Sequence, residues 1–414
     1  MEHSVSVVIV GIGGFGHTYF NGIINNCDRD RIKIAGVVEP YPENCACMDE
    51  VRKREIPVFR SLKDFYSSCS ADYAIIASPI QFHCEQVCYA LEMGSHVLCE
   101  KPISATVQDA KKMMEARDKS GKILAIGYQW SFSDEIQQLK QDIQSGVFGR
   151  AKRLKTIALW PRGLKYYSRN WAGKKKDASG RWVLDSIANN ATAHYLHNMF
   201  FVTGKSKYTS SVPVTVQAEL YRANNIENYD TVAARIFTDE DVEIMFVASH
   251  AHGKETGNIL KFCYEFTEGK IFYSDIKGEI SFEAHLNDGT IIPYNIPRID
   301  SYTKLLRFIN QVQEGKPVSC GPEAAFSHIL SINGMQESMP EITVFPENLV
   351  KKRAFKSDDE IIYVEGLAEA LTECYDLWKL PSEMDIAWAK PGKKINLTNY
   401  SYYPQAENDR KEQL

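Results

Sequence analysis

Residues 5–16, VSVVIVGIGGFG, decide the fold class of this chain. The first six form a continuous apolar run, which is typical of a central parallel strand buried on both faces. A glycine motif, G-x-G-x-x-G, follows directly as Gly11, Gly13 and Gly16. In a strand–turn–helix unit these glycines permit the tight turn, the approach of a pyrophosphate and the packing of helix on strand. The stretch therefore predicts a dinucleotide-binding unit, with Gly14 and Phe15 leading into its helix.

Glu39 follows the second predicted strand, residues 32–38, and indicates which dinucleotide binds. A carboxylate there accepts a hydrogen bond from the adenine-ribose 2′-hydroxyl and repels a 2′-phosphate. The next three residues, Pro40, Tyr41 and Pro42, include no Arg or Lys to hold such a phosphate. The sequence therefore predicts NAD rather than NADP as the cofactor.

Strand and helix patterns alternate as far as residue 127. Further strands are expected at 73–77, 96–99 and 122–127, and Thr106 with Asp109 predicts the capped start of a helix that Gly121 ends. Such alternation specifies a doubly wound parallel sheet, the Rossmann arrangement.

The pattern changes after residue 127. Strands are expected at 151–160, 213–221, 231–237, 243–250 and 260–266, and helices at 301–314, 322–338 and 359–378. This order predicts an α+β domain with a large open, mainly antiparallel sheet. We therefore expect a Rossmann domain over 1–127, an α+β domain over 128–382 and an extended tail over 383–414.

The composition argues against several classes of function. The 414 residues carry a net charge of −5, whereas a nucleic-acid-binding protein needs a basic face. No run approaches the roughly 18 apolar residues of a membrane helix, and a strand pattern begins too close to Met1 to leave room for a signal peptide. The ten cysteines form no Cys-x-x-Cys pair, which indicates reduced thiols. We expect a cytoplasmic protein that binds neither nucleic acid nor a membrane.

Two further segments carry a family resemblance. Residues 78–83, SPIQFH, precede a helix, and residues 94–102, GSHVLCEKP, form a strand that ends in Glu-Lys-Pro. With the glycine motif and residues 127–129 and 145–149, they make the chain similar to the glucose–fructose oxidoreductase / inositol dehydrogenase / rhizopine-catabolism (Gfo/Idh/MocA) family. The resemblance implies an N-terminal domain for NAD(H) or NADP(H), and a C-terminal domain that binds substrate and forms a homodimer or homotetramer.

The resemblance also implies hydride transfer between nicotinamide and a secondary hydroxyl of a sugar, glycoside or cyclitol. The cofactor contacts it implies are Gly11, Gly13, Gly14, Phe15, Gly16, Glu39, Ser78, Pro79, His83, Glu100, Lys101 and Gln129.

Oxidation at a hydroxyl carbon requires a base and a group that stabilises negative charge on oxygen. By resemblance, Lys101 hydrogen-bonds the reacting hydroxyl and His194 is the base. The family's Asp-x-x-x-His places an acid one helical turn before the histidine. Two alternatives remain open here: Asn190 replaces that acid, or Asp185 keeps the role after a short insertion. His197 stands where the family has a second Asp.

Aromatic residues concentrate between 130 and 182, and sugar rings stack on aromatic faces while Arg and amide groups bind hydroxyls. Trp130 stands where many relatives carry a basic residue, which favours a neutral glycoside. His250 and His252 point the same way on a strand, but no third ligand is evident and we expect no metal. The substrate-binding residues we expect are Lys101, Trp130, Trp160, Arg162, Trp171, Asn190, His194 and His197.

Three functions follow from these observations. The first is an NAD-dependent dehydrogenase of sugars or polyols. The second is a redox-neutral enzyme that keeps NAD tightly bound, oxidises a sugar transiently and then epimerises, eliminates or cleaves a glycoside. The third is a non-catalytic sensor of NAD or sugar, against which Lys101 and His194 both argue.

Overall fold

The structure, a computed structural model, describes residues 4–26, 31–253, 257–356 and 358–407. It divides into two compact units: Met1–Ser133 with Arg298–Phe326, and Asp134–Pro297 with Ser327–Leu414. In chain order the elements are β1 (Val5–Val10), α1 (Gly16–Asn25), β2 (Ile32–Val38), α2 (Met48–Lys53), β3 (Val58–Phe59), α3 (Leu62–Ser68), β4 (Tyr73–Ile76), α4 (His83–Glu92), β5 (His96–Cys99), α5 (Val107–Ser120), β6 (Leu124–Ile126), α6 (Asp134–Gln144), β7 (Ala151–Leu159), α7 (Leu164–Tyr167), α8 (Ala193–Val202), β8 (Pro213–Arg222), β9 (Thr231–Thr238), β10 (Glu243–Ser249), β11 (Ile259–Phe266), β12 (Gly269–Ile276), β13 (Glu279–Leu286), β14 (Ile291–Pro293), α9 (Ser301–Gln313), α10 (Pro322–Ser338), β15 (Thr343–Val344), β16 (Val350–Lys356), β17 (Asp359–Val364), α11 (Leu367–Leu377) and β18 (Ile395–Asn396).

The first unit contains a parallel six-stranded sheet in the order β3-β2-β1-β4-β5-β6. Its central strand β1 is buried along almost its whole length, as the apolar run predicted. Helix α5 begins where Thr106 Oγ1 accepts the N–H of Asp109, and it ends at Gly121, whose φ is +66°. The predicted doubly wound Rossmann sheet is therefore confirmed.

Helix α9 belongs to the first unit although it lies far along the chain. It packs on α1, where a Cβ on Gly22 would come within 2.7 Å of the Tyr302 Cβ, so only glycine permits this approach. The predicted boundary at residue 127 therefore differs from the observed division, which returns Arg298–Phe326 to the first unit. A linear pattern of helices does not reveal which sheet a returning helix covers.

The second unit is built on a ten-stranded sheet in the order β14-β13-β12-β11-β7-β10-β9-β8-β15, with β18 also paired to β8. The pairs β7–β10 and β8–β15 are parallel, and the other pairs among the described residues are antiparallel. The prediction of a large, mainly antiparallel sheet is confirmed.

The centre of this sheet is covered on both faces by helices. Ile157 of β7 and Val247 of β10 share a buried cluster with α11. Thr156, which points to the opposite face from Ile157, has its Oγ1 3.2 Å from Met199 Sδ of α8. Strands β7 and β10 therefore form the core of the second unit.

One expectation for the C-terminal part is corrected. The helix predicted over 359–378 begins only at Leu367, because residues 359–364 pair with β16 as a strand. The described part of the tail packs on its own unit: Leu397 is 2% exposed and the Tyr400 hydroxyl donates to Glu337. Residues 408–414 of the predicted tail lie outside the described residues. Throughout the described ranges, helices that are both long enough and apolar enough to cross a membrane are absent.

Candidate active site

The glycine turn between β1 and α1 has the tight geometry that a dinucleotide-binding loop needs. Gly11 has a φ of +85°, and a Cβ there would lie 2.8 Å from the Ala77 carbonyl oxygen. A Cβ on Gly16 would come within 2.5 Å of the Gly11 oxygen, whereas one on Gly14 would meet open space. Among the described residues, no side chain caps the N-terminus of α1. The residues present therefore fit a pyrophosphate bound at this helix N-terminus.

Glu39 lies beside this turn, as predicted. Its carboxylate accepts hydrogen bonds from the backbone N–H of Gly13 at 3.0 Å and of Tyr41 at 3.2 Å. A basic group that the sequence analysis did not foresee, Arg60, donates to the Pro40 oxygen and lies 3.5 Å from Glu43. Glu39 thus places a carboxylate beside the glycine turn, where the adenine ribose is expected, and the Arg60 cation is paired with Glu43.

Lys101 is the second residue after β5, which ends at Cys99. The carboxylate of its buried neighbour, Glu100, accepts three hydrogen bonds. Glu100 Oε2 accepts the backbone N–H of Lys101 at 3.2 Å. Its Oε1 accepts both the Tyr19 hydroxyl and the Lys304 ammonium, each at 2.6 Å. Burial alone would raise the pKa of the Glu100 carboxyl, but the Lys304 cation outweighs it and lowers that pKa. We call these four residues, Tyr19, Glu100, Lys101 and Lys304, the Lys101 neighbourhood.

Sequence analysis missed Tyr19 and Lys304. Lys304 is completely buried and comes from α9. It occupies the buried stripe of an amphipathic helix, together with Leu305 and Phe308. A buried lysine requires a buried acid as its partner. A lysine on the apolar stripe of a predicted helix is therefore the sequence feature that could have indicated this ion pair.

His83 connects two loops of the first unit. Its Nδ1 lies 2.9 Å from the Pro102 oxygen and its Nε2 lies 2.9 Å from the Ser78 oxygen, and the ring is 1% exposed. Ser78 Oγ donates to Gln86. His83 therefore fixes the loop at Pro79 to the segment after Lys101, and its predicted role at the cofactor site rests on positioning these two segments.

Two further predicted residues lie in a short turn, residues 129–132, after β6. Gln129 donates from Nε2 to the Ile299 oxygen at 3.0 Å, which ties this turn to the segment before α9. Trp130 follows it and is half-buried. Gln129 is therefore engaged with the backbone of its own unit.

The second unit brings Asp185 and Asn190 together. Asn190 Nδ2 donates to Asp185 Oδ1 at 2.9 Å, and Gly173 N donates to Oδ2 at 2.6 Å. Asp185 is 2% exposed, so its carboxylate is held inside the loop. Helix α8 begins only at Ala193. The expectation that Asn190 and His194 share one helical face is therefore corrected, because Asn190 lies in the preceding turn.

His194 and His197 have different surroundings. His194 is the second residue of α8 and is half-buried. His197 is fully buried, and its ring is stacked on Phe201 with centroids 5.6 Å apart. Burial, then the nearby His328 and the Lys140 cation, lower its pKa well below the usual range. His197 is therefore a neutral core residue, and its expected contact with substrate is corrected.

Three of the predicted substrate-binding residues, Trp160, Arg162 and Trp171, lie around Tyr166. The Tyr166 hydroxyl accepts from Asn190 Nδ2 at 3.4 Å, and its ring centroid lies 5.7 Å from that of His250. The Arg162 guanidinium lies 5.5 Å from the Tyr166 ring and 5.7 Å from the Trp160 ring. We call these five residues, Trp160, Arg162, Tyr166, Asn190 and His250, the Tyr166 cluster.

Two further side chains flank this cluster. Trp171 meets the Tyr166 ring edge-on at 6.4 Å, and Arg169 lies 5.1 Å from it. Within the described ranges, no group of three His, Cys, Asp or Glu side chains is arranged to hold a metal ion. The cluster instead combines aromatic faces with amide, imidazole and guanidinium groups, the usual composition of a site for a polar organic ligand.

Comparison with known proteins extends these observations. The model of an oxidoreductase family with an NAD-binding Rossmann fold matches residues 5–128. D-glucoside 3-dehydrogenase of Escherichia coli (strain K12) is 40% identical over 302 residues, which cover 70% of this chain and 83% of that enzyme. Inositol 2-dehydrogenase of Corynebacterium glutamicum (strain R) is 28% identical over 158 residues, 38% of this chain and 46% of that enzyme.

A solved structure shows the same fold. The WlbA dehydrogenase from Bordetella pertussis, in complex with NADH and UDP-GlcNAcA, has a TM-score of 0.66 and 19% identity, and it covers 81% of this chain and 97% of its own. Because the 40% identity extends through most of both sequences, this chain is an oxidoreductase of the Gfo/Idh/MocA family, and its first unit is an NAD-binding Rossmann domain.

Proposed function

We propose that the chain is an NAD-dependent dehydrogenase that oxidises a secondary hydroxyl of a glycoside, with carbon 3 of a D-glucoside as the first candidate position. The observation that carries this proposal is the Lys101 neighbourhood, which holds an ammonium-bearing residue at the end of β5. The 40% identity to D-glucoside 3-dehydrogenase supports the substrate class. A sugar or cyclitol with the same secondary alcohol is the wider group.

The reaction converts an alcohol and NAD⁺ into a ketone, NADH and a proton. Bound NAD⁺ supplies the acceptor for the hydride that leaves the carbon. Lys101 donates a hydrogen bond to the reacting hydroxyl and lowers the cost of the negative charge that develops on its oxygen. His194 takes the hydroxyl proton on its imidazole, the side chain that most often serves as a general base.

Asp185 and Asn190 have a supporting role in this proposal. Asp185 holds Asn190 through the 2.9 Å hydrogen bond, and Asn190 contributes a half-buried amide to the Tyr166 cluster. Both Nδ2 donors of Asn190 are used within the loop, so its amide oxygen is the atom that can accept from a sugar hydroxyl. The two alternatives from the sequence are thus compatible: Asn190 binds, and Asp185 positions it.

The test is absorbance at 340 nm with purified protein, NAD⁺ and a panel of methyl glycosides, hexoses and inositols. NADH should accumulate with at least one glucoside, and Lys101→Ala should lower kcat by about 10²–10³-fold, the usual cost of removing one such donor. Lys119→Ala, an exposed lysine on α5, is the matched control.

The other outcomes discriminate between the functions. NAD found in the denatured supernatant, with no NADH formed on any sugar, would favour the redox-neutral enzyme with tightly bound NAD. Failure to bind NAD at all would overturn the dehydrogenase proposal. Binding of sugar and NAD with no reaction in either mode would favour the sensor.

We also propose a cytoplasmic homodimer or homotetramer. The nine cysteines in the described ranges are all free thiols, as a reducing compartment favours. Light scattering after size-exclusion chromatography tests the oligomer, and a monomer at micromolar concentration would overturn it.

A further inference from the structure

His250 lies at the end of β10, beside the end of the parallel strand β7. The two chain segments continue together past the strands, because Trp160 N donates to the Ser249 oxygen at 2.9 Å and Arg162 N donates to the His250 oxygen at 3.3 Å. His250 is 2% exposed. Its ring is therefore held between the backbone of the β7 extension and the Tyr166 ring.

The hydrogen bonds of His250 define its tautomer. Nδ1 lies 2.6 Å from the Trp160 carbonyl oxygen, and a carbonyl can only accept, so Nδ1 carries the proton. Burial and then the Arg162 cation lower the pKa of His250 to about 3, with His252 adding to the effect. The ring is neutral near pH 7, and Nε2 presents a lone pair.

This lone pair has no partner within the described part of the chain. Nε2 of His250 is buried and makes no hydrogen bond to any described residue. The indole N–H of Trp160 and the hydroxyl of Tyr167 are buried and unpaired in the same sense. Buried polar atoms in folded proteins are almost always hydrogen-bonded. An acceptor and two potential donors within one loop region therefore indicate a ligand that can both donate and accept.

Arg162 is the one charged side chain of the Tyr166 cluster. Its guanidinium contacts the rings of Trp160 and Tyr166, and no carboxylate of the described ranges forms an ion pair with it. Ring contacts of this kind are weak compared with a charge-assisted hydrogen bond. Arg162 is half-buried, so its guanidinium remains available to donate hydrogen bonds to a ligand.

We propose that His250 is a specificity-determining residue, whose Nε2 accepts a hydrogen bond from one hydroxyl of a neutral glycoside and thereby discriminates against an analogue that lacks this hydroxyl. This inference rests on the proposed function. A hydroxyl donates a hydrogen bond to Nε2, and its oxygen accepts a hydrogen bond from Arg162 or Trp160. An analogue without this hydroxyl leaves the buried Nε2 lone pair without a donor, which is unfavourable.

The test compares kcat/KM for methyl β-D-glucopyranoside and for its 2-, 4- and 6-deoxy analogues, each measured with the wild type and with His250→Phe. His250→Phe keeps an aromatic ring and removes the acceptor. One analogue should lose at least about tenfold in kcat/KM with the wild type. His250→Phe should lose a similar factor with the parent glucoside, and should distinguish that analogue from the parent by less than about twofold. Equal discrimination by both proteins would overturn the role of His250.

Three controls define the result. His250→Gln retains an acceptor oxygen and should keep part of the discrimination, which separates loss of the acceptor from loss of folding. His285→Phe, at an exposed histidine of β13, should leave all ratios unchanged. Lys119→Ala, at an exposed lysine of α5, should likewise leave all ratios unchanged.

A binding measurement distinguishes failure of this inference from failure of the proposed function. Calorimetric titration of methyl β-D-glucopyranoside into the NADH complex needs no turnover. Tight binding that is weakened at least about tenfold in His250→Phe, without any NADH formation in the kinetic assay, would support His250 while overturning the dehydrogenase activity on glucosides. Absence of binding to the wild type would overturn the role of His250 itself.

Discussion

The Lys101 neighbourhood and the Tyr166 cluster are built in different ways. In the first, both oxygens of Glu100 accept hydrogen bonds, two of them only 2.6 Å long and one from a buried ammonium. In the second, aromatic rings lie 5–6 Å from guanidinium and imidazole groups, and buried polar atoms remain unpaired. Short charged hydrogen bonds fix a position, whereas ring contacts leave side chains able to rearrange. The difference indicates a rigid network of charged hydrogen bonds beside Lys101 and a more adaptable group of side chains around Tyr166.

The largest expected effect tests whether the second unit also holds a reacting group. His194→Gln should lower kcat by about 10²–10⁴-fold, the usual contribution of a general base, with a much smaller change in KM. Stopped-flow and steady-state absorbance at 340 nm measure both. His285→Gln, at an exposed histidine, is the matched control. A kcat within about threefold of the wild type would show that His194 is not the base.

The next effect tests the rigidity of the Lys101 neighbourhood. Lys304→Met leaves the buried Glu100 carboxylate without its cation, so the free energy of unfolding should fall by about 3–5 kcal/mol. Denaturant unfolding measures it. The double variant Lys304→Met with Glu100→Gln should recover most of the loss, because it removes the unpaired charge. Equal instability of the single and double variants would contradict a charge-based explanation.

The same pair has a pH dependence of known sign. The folded pKa of Glu100 is lowered, so its contribution is fully present above the unfolded pKa of about 4.3 and is lost as the pH falls through the folded value. The unfolding free energy of the wild type should therefore decrease more steeply below about pH 4.3 than that of the double variant. Parallel curves would argue against the contribution of this pair.

A smaller effect tests whether Asp185 positions Asn190 within the Tyr166 cluster. Asp185→Ala removes the acceptor of both Gly173 N and Asn190 Nδ2, so it should cost about 1–3 kcal/mol of unfolding free energy and raise the KM for the glycoside. Asp185→Asn, which keeps one acceptor oxygen, should cost less. Unfolding and steady-state kinetics measure the two variants. An unchanged KM in Asp185→Ala would show that the position of Asn190 does not affect binding.

The smallest effect concerns the cofactor. Glu39→Ser removes the carboxylate that repels a 2′-phosphate, and Arg60 lies beside the same loop. The ratio of kcat/KM for NAD over NADP should fall by about tenfold, equivalent to about 1.4 kcal/mol. Asp49→Ser, at an exposed carboxylate of α2 that pairs with Arg52, is the control. A ratio that stays constant in Glu39→Ser would contradict the assigned role of Glu39.

Sequence patterns predicted the first unit better than the second. The strands at Val5–Val10, Ile32–Val38 and His96–Cys99 have the predicted bounds, because buried parallel strands are short continuous apolar runs between glycine and helix signals. Strands β12 and β13 were not predicted, since they are half-exposed and carry charged residues that interrupt the apolar pattern. The strand at Asp359–Val364 was taken for helix because its identity depends on pairing with β16.

The sequence by itself determined the Rossmann unit, its glycine turn, the carboxylate at Glu39 and the place of Lys101 after β5. Each of these depends on residues that are close together in the chain, where local geometry and backbone sterics decide the structure. Only the tertiary structure decided that Lys304 locks Glu100, that His197 is a core residue and that His250 faces Tyr166. Those outcomes depend on contacts between residues far apart in sequence, and burial together with the partners that folding supplies determines whether such a side chain is charged, neutral or available to a ligand.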